Sequence, residues 1–157
     1  FEHGGGIPDG KEIKAIMAAG ASSSLIIAND EALDTPMDYE SVPNVGGALG
    51  SASVIVIDES VSIDWVLRKT LHFFSHESCG KCTPCREGTF WMRHLIDRIH
   101  DGKAGWSDVE LLNEVALQIQ GKCLCALGEF SIEAVTSGIE RFESDFRAKA
   151  ASSPVEE

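Results

Sequence analysis

The chain has 157 residues, 43% of them apolar, and a formal net charge of −12. That suffices for one compact domain or two small ones. The acidic balance argues against nucleic acid and anionic membrane surfaces, which reward clustered Lys and Arg. The acids are spread along the chain and read as a solvated surface. No apolar run reaches the roughly 18 residues of a membrane span, and no signal peptide is visible. The chain opens with Phe1 rather than Met, which is expected of a fragment or processed product. Five cysteines, three of them within seven residues, do not resemble a secreted disulfide scaffold. A reducing, cytosolic compartment fits better.

Residues 1–60 are rich in Gly, Ser and Ala and read as a small α+β unit. Ile13, Ala15 and Met17 alternate as in a strand, and Ser24 to Ala28 is a second candidate. Pro36 to Val42 reads as one short helix. Ser51 to Ile57 is the best strand, β-branched and bounded by Gly50 and Asp58. Residues 61–150 change to helical spacing. Ile63, Val66, Leu67, Leu71 and Phe74 form one stripe, and Met92, Leu95, Ile96 and Ile99 a second that stops at Gly102. A third helix is expected from Ser107, with a Ser107–Glu110 capping box and Trp106 stapled onto Leu111. A fourth runs from Ser131 to Lys149, with Ile132, Val135, Ile139, Phe142 and Phe146 on one face. Short connections between amphipathic helices predict a four-helix bundle. Residues 151–157 read as a disordered tail.

The chemistry lies between the first two of these helices. Cys79, Cys82 and Cys85 follow C-x2-C-x2-C, and Cys123 and Cys125 stand some forty residues later. Three thiols on one short loop suit three corners of a [4Fe-4S] cube, with the fourth ligand arriving from a remote segment. Structural zinc is one alternative, although zinc sites usually pair a C-x2-C with a distant second pair, and free or redox-active thiols are another. Cys123 and Cys125 point opposite ways in an extended loop, so one ligates and the other is a small buried hydrophobe. Thr83 and Pro84 are the natural N-cap and first residue of the helix carrying Cys85, which aims its positive end at the thiolates. Gly80 and Thr83 N–H groups are expected donors to sulfur, with His76, Lys81 and Arg86 nearby.

Other features carry less. His72 and His76 are one turn apart but lack the acidic partner of H-E-x-x-H, and they read with His94 and His100 as ordinary polar positions. The glycines around Gly4 and Gly46 do not form G-x-G-x-x-G, and there is no P-loop or nucleophile elbow. Phe73, Phe90 and Trp91 are expected, with Phe74, in the core, keeping water from the cysteines.

Glu77-Ser-Cys-Gly-Lys-Cys-Thr-Pro-Cys-Arg-Glu-Gly88 resembles the signature of the NADH- and FMN-binding subunit of respiratory complex I. The same subunit type occurs in NAD-reducing hydrogenases and formate dehydrogenases. Gly121-Lys-Cys-Leu-Cys-Ala-Leu-Gly128 resembles the segment carrying that family's fourth ligand and puts the ligand on Cys125. Met37 to Ser41 and Val54 to Glu59 fit its ubiquitin-like β-grasp domain, which the resemblance leaves incomplete here, with Phe1 falling after the first strand. It implies a [4Fe-4S] cluster on Cys79, Cys82, Cys85 and Cys125, taking electrons from FMN reduced by NADH. These electrons would pass to a neighbouring iron–sulfur subunit of a quinone-reducing complex, on the cytoplasmic side of its membrane. The family's flavin motif, G-R-G-G-A-G-F-P, is not in this sequence. No FMN or NADH residue is therefore assigned, and the chain alone is expected not to oxidise NADH.

Overall fold

Alternating and small apolar residues in the first sixty positions build a three-stranded antiparallel sheet in the order β2-β1-β3 in the computed structural model, which describes residues 2–150. The tail expected at 151–157 and the expectation at Phe1 lie outside the described residues. β1 is Ile13–Ala21, β2 Ile26–Ile27 and β3 Ile55–Asp58. β1 is central, pairing Ala15 with Ile27 on one side and with Ile57 on the other. Between β2 and β3 lie α1 (Asp30–Asp34) and a 3-10 turn at Val42–Val45. Ala18, Ile26, Val42 and Leu49 form a core under this sheet.

Two expectations in this half are corrected. Pro36 to Val42 is not a helix: Asp38 Oδ1 accepts the N–H groups of Glu40 and Ser41, at 3.1 and 2.7 Å. A side chain that captures those donors replaces the helical bonds with a turn. The third strand is also shorter than expected. Gly50 and Ala52 both have positive φ, which bends Ser51 to Ser53 into a turn before pairing begins at Ile55.

The chain divides into two units, Phe1–Ser62 and Ile63–Glu157. The second unit contains α2 (Ile63–Glu77), α3 (Thr83–His100), α4 (Trp106–Ile119), α5 (Ala126–Arg141) and α6 (Glu143–Ala150). α2 packs on α3, α3 on α4, α4 on α5, and α5 back on α2. Their facing stripes are fully buried at Ile63, Leu67, Leu71, Met92, Ile96, Leu112 and Ala116. Each large side chain removed from water this way contributes about 1.5–3 kcal/mol before entropy. Gly88 lets α3 approach α4: a Cβ there would lie 2.4 Å from Ile119 Cδ1.

Two carboxylates in this unit are paired. Asp64 is fully buried and meets His100 Nδ1 at 2.5 Å, with Lys149 Nζ at 3.9 Å. Asp97 accepts from Arg68 Nε at 2.6 Å and meets His72 Nε2 at 2.8 Å, tying α3 to α2. A buried carboxylate without such partners would cost several kcal/mol.

Three helix boundaries differ from expectation. α4 starts at Trp106, with Gly105 as N-cap and its N–H bonded to Asp108 Oδ2 at 3.0 Å. Glu110 accepts from Trp106 Nε1 at 2.9 Å instead of closing a box on Ser107. Leu111 is exposed, so the expected staple is replaced by stacking of the Arg147 guanidinium over Trp106, 4.0 Å from its centroid. The fourth expected helix is two. α5 begins at Ala126, and the chain breaks at Phe142 (φ −127°, ψ 37°) before α6. The break buries both Phe142 and Phe146.

Candidate metal centre

Two helices begin immediately after a cysteine. Cys82 is the N-cap of α3 and Cys125 the N-cap of α5, both with extended backbone. Thr83 and Pro84 therefore lie inside the helix, one position later than expected. Each N-terminus leaves free N–H groups and a partial positive charge beside a thiol. The start of α5 at Cys125 is the feature sequence reasoning missed, because Leu124 to Gly128 reads as loop. The signal lay in Ala126, Leu127 and Glu129, good helix formers directly after the cysteine.

The three-cysteine loop runs from the end of α2 to the start of α3. Gly80 has φ +73°, a left-handed conformation that glycine takes without cost. Arg86 Nη1 donates to the Gly80 carbonyl at 3.0 Å, and Arg86 Nε to Glu87 Oε1 at 2.7 Å, bracing the turn. Cys79 and Cys125 are exposed, Cys82 and Cys123 half-buried, and Cys85 buried.

These thiols sense one another across the two segments. Cys82 accepts backbone hydrogen bonds from Leu124, on the remote segment, and from Cys85, which hold its thiol below the usual range. These donors stand where Gly80 and Thr83 were expected. Burial pushes the Cys85 thiol up, and the charges of Cys82, Cys125 and Cys79 add to it, against a hydrogen bond from Ser78 Oγ at 3.3 Å. Burial pushes Cys123 up to about 11, with Cys82 and Cys85 adding to it. Cys123 is half-buried, where a fully buried small residue was expected of the non-ligating cysteine. Its place is made by Gly128, where an added Cβ would lie 2.2 Å from Cys123 Sγ and 3.6 Å from Cys85 Cβ. Among the described residues, no group of three or more His, Cys, Asp or Glu side chains sits close enough to hold a metal ion.

The surrounding residues fall differently from expectation. Phe74 is buried, but Phe73, Phe90 and Trp91 are 50%, 46% and 53% exposed and form no apolar shield. His76 is solvent-facing, 4.0 Å from Glu77. His94 packs edge-on against Phe90, while His72 and His100 bond carboxylates, so these three are ordinary polar positions. No described helix is long and apolar enough to cross a membrane.

The donor set suits an iron–sulfur group: thiols from two segments, two helix N-termini, and backbone N–H groups on a ligand-type sulfur. Comparison with known proteins agrees. Residues 65–149 match the family described as the NADH-ubiquinone oxidoreductase-F iron-sulfur binding region. An NADH-quinone oxidoreductase subunit of Mycobacterium bovis is 37% identical over 148 residues, 94% of this chain and 33% of the relative. Its namesake in Streptomyces coelicolor is 38% identical over 142 residues, 90% of this chain and 31% of the relative. A chain of an NAD+-reducing [NiFe]-hydrogenase in the air-oxidised state superposes with a TM-score of 0.79 at 27% identity, covering 88% of this chain and 24% of the other. The chain thus spans about a third of the length of the curated relatives it matches. It belongs to the family of NADH-ubiquinone oxidoreductase-F iron-sulfur binding regions.

Proposed function

We propose that Cys79, Cys82, Cys85 and Cys125 hold a [4Fe-4S] cluster. The observation that carries this reading is the pairing of N-caps: Cys82 and Cys125 open two helices, and Leu124 donates its N–H to Cys82 across forty residues of sequence. Cys85 feels the other three thiols electrostatically, which supports a shared site.

When bound, the cluster supplies one-electron transfer. The chain's own residues fix its position. The N-termini of α3 and α5 place partial positive charge against the thiolates, Cys85 gives the site a buried wall, and Arg86 holds the Gly80 turn closed. In the whole protein, electrons would arrive from FMN reduced by NADH in a region this chain does not contain. They would leave to a neighbouring iron–sulfur subunit of an NADH-quinone oxidoreductase, on the cytoplasmic side of its membrane. The match to a hydrogenase chain supports the diaphorase subunit of a soluble NAD-reducing hydrogenase as a second parent. We read residues 1–60 as part of a ubiquitin-like β-grasp unit, supported by the central β1 and its antiparallel neighbours. Residues 61–150 read as the cluster-bearing four-helix bundle, α2 to α5, with α6 packed on all four.

The test is low-temperature EPR on the anaerobically purified, dithionite-reduced chain, with iron and sulfide counted on the same sample. A rhombic S = 1/2 signal with about four irons per chain is expected. Stoichiometric zinc with no iron would replace this reading with a structural metal module.

A further inference from the structure

We propose that the paired outer stripes of α2 and α3 form a docking surface for an acidic segment of a partner protein. The partner whose role suits that place is the one that takes the cluster's electrons. That role rests on the proposed function; the acidity of the docked segment does not.

The chain concentrates positive charge on these two helices. Its net charge is −12. Residues 65–100 nevertheless hold six Lys or Arg against three Asp or Glu, whereas residues 101–150 hold five against nine. Helical spacing places Trp65, Lys69, His72 and His76 in one stripe of α2, and Arg86, Phe90, Arg93 and Asp97 in one stripe of α3. Asp97 meets His72 Nε2 at 2.8 Å and accepts from Arg68 Nε at 2.6 Å, so the stripes lie side by side.

The face combines cations with exposed aromatic rings. Lys69 Nζ lies 5.2 Å from the Trp65 centroid, and the Arg93 guanidinium 5.6 Å from that of Phe90. The three acids are already taken: Asp97 by Arg68 and His72, Glu87 by Arg86, and Glu77 by His76. Among the described residues, no carboxylate pairs with Lys69, Lys81 or Arg93. Arg93 Nε is buried without a hydrogen-bond partner, and Arg93 Nη2 reaches only His94 Nε2, at 3.4 Å. A buried unpaired donor is costly, so turning this guanidinium out to a carboxylate breaks no ion pair and satisfies Nε.

The surface runs up to the cysteines. At its end Arg86 donates to the Gly80 carbonyl at 3.0 Å, and Lys81 stands exposed between Cys79 and Cys82. An acidic segment along the stripes would set its protein beside the exposed Cys79. Charge complementarity of this kind steers encounter and suits a transient electron-transfer contact. The patch is only two helices wide, and acids outnumber bases over residues 101–150. A short acidic segment fits it better than an extended nucleic acid or a membrane plane, either of which would also meet those acids.

The experiment uses the cluster-loaded chain, with iron and sulfide counted for every variant, and a short fluorescein-labelled polyglutamate peptide followed by anisotropy at low ionic strength. Binding that weakens with added salt is expected, against the repulsion that the net charge alone would give. Arg93→Glu and, independently, the exposed Lys69→Glu should each weaken it about three- to tenfold. Lys103→Glu makes the same charge change beyond the end of α3 and should shift it less than about twofold. A second readout is stopped-flow oxidation of the reduced cluster by ferric EDTA, an anion that takes one electron to become ferrous EDTA. Its rate should fall with salt and fall again in Arg93→Glu. No peptide binding by the wild-type chain, or equal losses in Arg93→Glu and Lys103→Glu, would overturn the proposal. Tighter binding of phosphatidylserine vesicles or of short single-stranded DNA than of the peptide would overturn the acidic-protein assignment. Peptide binding with a ferric EDTA rate that rises with salt would overturn the partner's electron-accepting role. A chain holding zinc and no iron would remove the proposed function, and the peptide titration would still decide the docking surface.

Discussion

Asp145 and Ile63 stand 82 residues apart, and Asp145 Oδ2 accepts the Ile63 N–H at 2.8 Å. The carboxylate from α6 thus caps the first turn of α2, the helix that leads to the three-cysteine loop. The break at Phe142 lets it do so, since α6 leaves the line of α5 there. The cap satisfies an orphan donor and places negative charge at the positive helix end.

Asp145→Ala should therefore destabilise the helical unit by about 1 kcal/mol, the usual cost of a lost N-cap acceptor. Asp145→Asn, which keeps an acceptor oxygen, should cost less. Urea unfolding followed by circular dichroism measures both. Identical midpoints for wild type and Asp145→Ala would show that solvent replaces the cap.

Gly88 sits one turn after Cys85, and its backbone presses on Ile119, which is 2% exposed. A methyl there has to move a core side chain or separate α3 from α4. Gly88→Ala should cost about 1–3 kcal/mol, although alanine is the better helix former. It should also loosen the α3 N-terminus and speed loss of iron to a chelator. A more stable variant would mean that propensity outweighs the contact.

Asp97 joins α3 to Arg68 and His72 on α2. Burial works to raise its carboxyl, but the hydrogen bonds and charges of Arg68 and His72 outweigh it, leaving the group below the usual carboxylate range. A value depressed on folding adds stability that is present above the unfolded value, ~3.9, and is lost as pH falls through the folded one. The stability gap between wild type and Asp97→Asn should shrink as pH falls below about 4. Unfolding midpoints across that range check it; a gap that persists at the acid end would remove Asp97 as the source.

Periodicity made α2 and α3 legible, because their buried stripes repeat at helical spacing and nothing nearby competes with the backbone. It failed where side chains or single residues redirect the chain. Asp38 takes two N–H groups that a helix at Pro36 to Val42 would have used. Phe142 interrupts a continuous apolar stripe with no Pro or Gly to announce it, because both aromatic rings gain burial on either side of the bend. In the centre itself, the spacing of Cys79, Cys82 and Cys85 was visible in one line of sequence. The juxtaposition of Leu124 and Cys123 with Cys82 was not, since it depends on how α4 and α5 fold back. The exposure of Phe90 and Trp91 was equally hidden: both stand on α3, but on the side facing away from Met92 and Ile96.

The Gly80 turn gives the last test. At φ +73° a Cβ would meet only Arg86 Cδ, at 3.7 Å, so space is not the obstacle. The penalty for a side chain is torsional, about 1–2 kcal/mol for an ordinary L-residue held in the left-handed region. Asn tolerates that region better than Ala. Gly80→Ala should therefore release iron to a chelator faster than wild type, with Gly80→Asn between them. The order matters more than the size. If steric room governed the turn, the smaller Ala would be the milder change, and the observed ranking would reverse.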